Sequence, residues 1–318
     1  MRAGVVGVGK LGGAVAFALA QEIPWDELVL VDALEGLAWA QAEDIRHGLP
    51  GPTPTVVRAG DLADLAGADV VVLAAGKGRK PGMTRLDLLH ANAGLVASLG
   101  AAIGQVARKA TLVVLTNPMD VMTTLARQAS GLPRERVIGS GTLVDSVRLR
   151  VLLADRFRAS PAEVDASVLG EHGDRAVPIF SRAKVRGEPL ELDPGSKREI
   201  IEQLRGLSAR VIEGKGGTAF GPAGCTAVLV RSLVSPTPGV VPASVVLRGE
   251  YGLRDVAVGV PAVLGQGRLI RVEEWALRSD EQAGLQEAGH DLSRYVEDAA
   301  IVLGQAVRHA RLEDFAAP

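Results

Sequence analysis

The chain has 318 residues, 47% hydrophobic and 23% charged, the make-up of a folded globular protein with one large or two ordinary domains. Thirty-five lysines and arginines against 37 acidic residues leave a formal net charge of −2, so composition offers no electrostatic footing for nucleic acid or an anionic membrane. The single cysteine, Cys225, excludes an internal disulfide and a cysteine-built zinc site, and reads as a small buried hydrophobe.

No uninterrupted apolar run of about eighteen residues is present, so no membrane-crossing helix is expected. Met1-Arg2 leads straight into a strand pattern rather than a signal peptide, which makes the cytoplasm the expected location. That first predicted strand covers 3–8 and runs into Gly7-Val8-Gly9-Lys10-Leu11-Gly12, with a helix predicted at 11–21. In a G-x-G-x-x-G turn between strand and helix, the first glycine permits the tight turn. The second lets the backbone approach a pyrophosphate, and the third allows close helix–strand packing. The helix N-terminus then offers unpaired N–H groups to the phosphates.

A second strand, 28–32, ends in Asp32, whose carboxylate can accept from both ribose hydroxyls and would repel a 2′-phosphate; no arginine follows in Ala33-Leu34-Glu35, so NAD is favoured over NADP. A helix at 37–47, strands at 55–58 and 70–74, a helix at 86–108 and strands at 111–115 and 137–138 complete the first half. Strands apolar on both faces, separated by helices, predict a parallel sheet with right-handed crossovers.

The fourth strand is followed by Gly76-Lys77-Gly78-Arg79-Lys80-Pro81-Gly82-Met83-Thr84-Arg85, at the carboxyl edge where open α/β sheets bind ligands. By composition this basic loop is either solvated surface or an anion clamp, since guanidinium groups pair bidentately with carboxylates; its glycines and proline suit a loop that swings on hinges.

The style changes near 140–145. A helix at 143–157, a strand at 164–169, an amphipathic stretch at 197–215, strands at 245–251, 256–264 and 268–272, and a closing helix at 280–311 are predicted. Leu285, Ala288, Leu292, Tyr295, Val296, Ala299, Val302, Leu303 and Ala306 form the apolar stripe of that last helix. Gly170-Glu171-His172-Gly173-Asp174 places a histidine in a turn-rich segment, while His47, His90, His290 and His309 read as structural. Asp145 and Arg148 stand three apart on one predicted helix, which by itself reads as an intrahelical i,i+3 ion pair worth about 0.2–0.5 kcal/mol rather than as a site.

Taken in order, Gly7–Gly12, Asp32, Arg79–Arg85, Thr116-Asn117-Pro118-Met119-Asp120, Gly139-Ser140-Gly141-Thr142, Asp145-Ser146-Val147-Arg148 and Gly170–Asp174 resemble the lactate/malate dehydrogenase family over essentially the whole chain. The resemblance implies an α/β fold: a Rossmann-type doubly wound parallel sheet in an NAD-binding domain, 1–142, followed by a mixed α+β catalytic domain, 143–318. It implies NAD as cofactor and a homodimer or homotetramer; no metal is expected, since no histidine or carboxylate cluster has ligand spacing, and Arg79 points to a small dicarboxylate as substrate.

It also implies roles. His172 would exchange the proton of the substrate hydroxyl, and Asp145 would fix the imidazole tautomer. Arg148 would hold the C1 carboxylate and Arg85 would polarise the reacting carbonyl. Asn117 would bond substrate and orient the nicotinamide. Gly7, Gly9, Lys10, Leu11, Gly12, Asp32, Asn92, Thr116 and Asn117 would contact the cofactor.

Arg79, immediately before Lys80-Pro81, stands where lactate enzymes resemble one another in having glutamine and malate enzymes in having arginine. Met83, Val177-Pro178 and Pro222 agree with the lactate-dehydrogenase-like branch of malate dehydrogenases. Thr218 is more like the lactate enzymes and would line the substrate pocket, while Ala219, Lys77 and Gly78 depart from the pattern. An L-lactate or broad 2-hydroxyacid dehydrogenase is the alternative, and a catalytically silent NAD-binding protein is the alternative of another class.

Overall fold

The computed structural model describes residues 1–51, 53–78 and 83–315, apart from the side chains of Arg85, Val302 and 304–315. In chain order the first half contains β1 (Arg2–Val6), α1 (Lys10–Glu22), β2 (Glu27–Val31), α2 (Leu37–His47), β3 (Val56–Ala59), β4 (Val70–Leu73), α3 (Arg85–Val106), β5 (Thr111–Val114), α4 (Met119–Ser130) and β6 (Val137–Gly139). These six strands pair in parallel in the order β3-β2-β1-β4-β5-β6. That is the doubly wound order, whose direction reverses between β1 and β4 and opens a crevice at their carboxyl ends. Val5, Leu30, Val72, Leu112 and Val113 are fully buried in the sheet, as expected of strands covered on both faces.

The second half contains α5 (Leu143–Phe157), β7 (Val164–Asp165), β8 (Val168–Gly170), β9 (Ala176–Pro178), β10 (Lys184–Val185), β11 (Glu188–Pro189), α6 (Pro194–Lys215), α7 (Phe220–Val234), β12 (Gly239–Arg248), β13 (Arg254–Gly265), β14 (Arg268–Val272) and α8 (Ser279–Phe315). Beyond β6 every pairing turns antiparallel: β12 joins β6 through Ser244 and Val245, β13 follows, and β8 and β9 close the edge. The main core therefore runs from Ala3 to Ala299 through both halves. A smaller core of Leu149, Leu153, Val168, Phe180, Ile200 and Leu204 lies between α5, α6 and the strands nearby.

Several elements differ from the sequence reading. The predicted strand 164–169 is two strands in different sheets, β7 pairing with β10 and β8 with β13. β12 starts at Gly239, six residues before the predicted strand, because Pro242 reads as a breaker. Pro242 stands opposite Pro261 and lies short of the two residues that pair with β6, so its missing N–H removes no bond there. α4 and α7 were not predicted; each opens next to a proline, which the first turn of a helix accommodates.

By length and mean hydropathy alone, 1.4, the segment Leu86–Val106 of α3 could cross a bilayer, but Asp87, His90 and Asn92 interrupt its apolar run. Leu88, Leu89, Ala93, Val96 and Ile103 of that helix are buried, and it packs against α4 and α8. On α8, Leu285, Ala288, Leu292 and Ala299 are buried and Tyr295, Val296 and Leu303 pack against the core. The predicted stripe residues Val302 and Ala306 fall outside the described side chains.

Candidate active site

β1 delivers the chain into the glycine turn. Gly7 has φ +87°, and a Cβ there would overlap the Ala75 main chain; a Cβ on Gly12 would overlap the Gly7 carbonyl oxygen. A Cβ on Gly9 would instead point into open space, with no heavy atom within 4 Å. No side chain caps α1 at Gly9, so its first N–H groups face the same opening. A bare backbone, an uncapped helix end and room beside them fit a dinucleotide pyrophosphate. Lys10 and the half-buried Leu11 form the start of α1.

Asp32 follows β2, where its Oδ2 accepts from Val8 N at 2.7 Å and its Oδ1 from Leu34 N at 2.9 Å. Each oxygen retains acceptor capacity, so the carboxylate joins the glycine turn to the place where a ribose would lie.

Beyond β4 the main chain is braced from two sides. Thr116 Oγ1 donates to Ala75 O at 2.7 Å. Asn92, fully buried on α3, accepts from Lys77 N at 2.7 Å and donates to Lys77 O at 3.1 Å and Asn117 O at 2.8 Å. Its amide therefore holds the two loops that border the crevice. Asn117 itself is exposed, and the Asn117–Pro118 peptide is cis. Arg79 and the side chain of Arg85 lie outside the described residues. Thr84 caps α3, accepting from Asp87 N at 3.1 Å while Asp87 accepts from Thr84 N at 2.9 Å.

His172 and Asp145, 27 positions apart, meet: Nδ1 of the imidazole lies 2.6 Å from Asp145 Oδ2. Arg148 Nη1 donates to Asp145 Oδ1 at 3.0 Å, so the i,i+3 pair on α5 and the histidine form one cluster. Buried hydroxyls fix the two sides. Thr142 Oγ1 donates to Val168 O, and Ser146 Oγ accepts from Val168 N at 2.9 Å and donates to Thr142 O at 2.8 Å. These bonds lock β8, which carries the histidine loop, onto the start of α5.

Burial opposes the imidazolium, but the charge and hydrogen bond of Asp145 outweigh it; Asp120 adds to that effect and Arg148 works against it, so the His172 pKa lies above the usual histidine value. Burial likewise opposes the Asp145 carboxylate, and His172 and Arg148 together hold its pKa below the usual range. Such a pair can take up and return a proton near neutral pH with a fixed tautomer. Burial pushes the nearby Cys225 thiol up to about 11, as suits a packing residue.

Thr218 is half-buried in the turn between α6 and α7, after Gly216 (φ +74°) and Gly217 (φ +145°). The structure ties this turn to the glycine cradle, because Lys10 Nζ donates to Lys215 O at 2.9 Å.

Two residues of the cluster had no role assigned from sequence. Asp120 accepts from His172 N at 2.8 Å and from Ser244 Oγ at 2.6 Å. Asp120 was visible as the end of the Thr116–Asp120 motif. Ser244 stands just before the predicted strand 245–251, and its one signal was a hydroxyl beside an apolar run.

A family model for the lactate/malate dehydrogenase NAD binding domain matches residues 1–139, and one for the lactate/malate dehydrogenase alpha/beta C-terminal domain matches residues 142–301. The chain belongs to the lactate/malate dehydrogenase family. It is an NAD-dependent oxidoreductase acting on the CH–OH group of a small L-2-hydroxyacid.

An L-lactate dehydrogenase of Thermus aquaticus is 40% identical over 313 residues, covering 96% of this chain and all of that protein. A malate dehydrogenase of Halobacterium salinarum is 39% identical over 294 residues, covering 92% of this chain and 97% of the relative. Among solved structures, Cryptosporidium parvum malate dehydrogenase superposes with a TM-score of 0.89 at 29% identity, covering 94% of this chain and 98% of that one. The minor L-lactate dehydrogenase of Enterococcus mundtii gives 0.88 at 30% identity, covering 93% and 98%.

Proposed function

We propose that this family member is a malate dehydrogenase, converting (S)-malate and oxaloacetate reversibly with NAD, its residues 1–142 holding the cofactor and 143–318 carrying the proton relay. The observation that carries the chemistry is the His172–Asp145–Arg148 cluster: an imidazole 2.6 Å from a buried carboxylate that a guanidinium also touches. The dicarboxylate preference rests on Arg79, whose fork suits a second carboxylate.

In malate oxidation, His172 accepts the hydroxyl proton at Nε2, the ring nitrogen turned from Asp145. Asp145 keeps the proton on Nδ1 and stabilises the imidazolium that forms. Arg148 binds the C1 carboxylate in place beside the imidazole, so that C2 is presented in one orientation. Arg85 bonds the oxygen on which charge develops, and Arg79 receives the distal carboxylate. Asn117 and Thr116 hold the edge of the crevice, Asn92 bracing them through main-chain bonds. NAD supplies the hydride acceptor at its nicotinamide C4. In oxaloacetate reduction the protonated His172 returns its proton to the forming hydroxyl.

A second reading, L-lactate dehydrogenase, is favoured by the names of close relatives, among which L-lactate dehydrogenase predominates, and by Thr218. Against it stands the cost of offering the Arg79 guanidinium a methyl group in place of a carboxylate, about 2–5 kcal/mol where such a charge pair is buried.

The test is His172→Asn, with NADH binding followed by fluorescence. Turnover of every ketoacid is expected to fall about 10²–10⁴-fold with NADH affinity retained. Near-parental turnover would overturn the assignment of proton transfer to His172.

A further inference from the structure

We propose that Asp120 is a second carboxylate serving His172, a positioning residue that fixes the histidine through its main chain while its charge supports the imidazolium. Asp120 lies in the first turn of α4 and is 1% exposed. Its Oδ2 accepts from His172 N at 2.8 Å, and its Oδ1 accepts from Ser244 Oγ, itself fully buried on β12, at 2.6 Å. Three chain segments, the α4 start, β12 and the turn after β8, therefore converge on one carboxylate directly behind the proton-transfer group.

A neutral side chain could make the same two hydrogen bonds. An asparagine oxygen would accept from His172 N, and its amide would donate to the Ser244 hydroxyl. A carboxylate there carries a desolvation cost that an amide avoids. What the carboxylate adds is a negative charge, and the α4 N-terminus offsets part of its desolvation. Among the described residues, the charged groups that act on the imidazole are Asp145 and Arg148 from α5 and Asp120 from α4; the two aspartates act in one sense and Arg148 in the other. Asp145 holds the ring through Nδ1, whereas Asp120 holds the backbone of the same residue. The histidine is thereby fixed at both ends, with a second negative charge, weaker in effect than that of Asp145, to stabilise its protonated form.

The inference rests on His172 being the proton-transfer group, so its test must fail separately from that reading. Full pH profiles of kcat/KM are recorded in both directions for Asp120→Asn and Ser244→Ala, with NADH affinity and Tm for each. Oxidation needs neutral His172 and reduction needs it protonated.

Removing the Asp120 charge therefore moves both pH midpoints down, by about one unit. At neutral pH reduction weakens while the oxidative limb starts earlier. Ser244→Ala keeps the charge but frees one end of the carboxylate, so both midpoints stay near the parental pH while kcat falls severalfold in both directions. A nuclear magnetic resonance titration of the His172 ring in Asp120→Asn reads the same shift without catalysis.

Unmoved midpoints in Asp120→Asn, or an unmoved ring titration, overturn the electrostatic role. Parental kcat in Ser244→Ala overturns the positioning role. Loss of activity in His172→Asn together with unmoved Asp120→Asn midpoints would refute this inference and leave the proposed function standing.

Discussion

The Lys10 ammonium, in the first turn of the helix behind the glycine cradle, donates to the main-chain carbonyl of Lys215, 205 positions on. Lys215 ends α6, and the turn that follows carries Thr218. One side chain thus joins the glycine turn, the proposed pyrophosphate cradle, to the turn that carries Thr218, the proposed wall of the substrate pocket. The cation also sits favourably against the carbonyl end of a helix.

Lys10→Met removes that tie without disturbing the glycine backbone. An exposed charged hydrogen bond is worth about 1 kcal/mol or less, which is about fivefold. The ketoacid KM is expected to rise by about that factor, alongside a weaker NADH affinity. Steady-state kinetics with a parallel NADH titration measure both; an unchanged ketoacid KM would show that the tie does not reach the pocket.

The His172–Asp145 pair also predicts how stability depends on pH. The His172 pKa is raised in the folded chain, so its contribution is complete below the unfolded value of about 6.5 and is lost as pH rises through the higher folded value. Asp145 is lowered, so its contribution is present above about 3.9 and is lost as pH falls through its lower folded value. The Tm advantage of the parent over His172→Asn is expected to be largest near about pH 6 and to shrink towards pH 9. A gap that is constant or widens with pH would contradict the raised imidazole pKa.

Much of this architecture is legible in the chain because local chemistry dictates it. Gly7 and Gly12 are glycines because a Cβ at either would overlap neighbouring backbone. The buried β-branched runs of β1, β4 and β5 can form covered parallel strands before any tertiary contact is known. The pairing of β8 with β13, which seats the histidine loop beside α5, has no local signal, since Gly170 and Gly259 are 89 positions apart in sequence. Pro242 concealed the start of β12, because whether a proline breaks a strand depends on what lies beside it. Asp120 and Ser244 were opaque for the same reason: their meaning is a contact across 124 positions. Roles for Arg79 and Arg85 come from residue type and motif.

Selection of a dicarboxylic ketoacid by Arg79 is measured by kcat/KM for oxaloacetate against pyruvate with NADH. The comparison is then repeated in Arg79→Gln. The parent is expected to prefer oxaloacetate by tens- to thousands-fold, as loss of a buried charge pair worth about 2–5 kcal/mol requires, and the variant to lose most of that preference. Equal or faster pyruvate turnover by the parent, or a preference untouched in Arg79→Gln, would contradict the claim and put the lactate reading in its place.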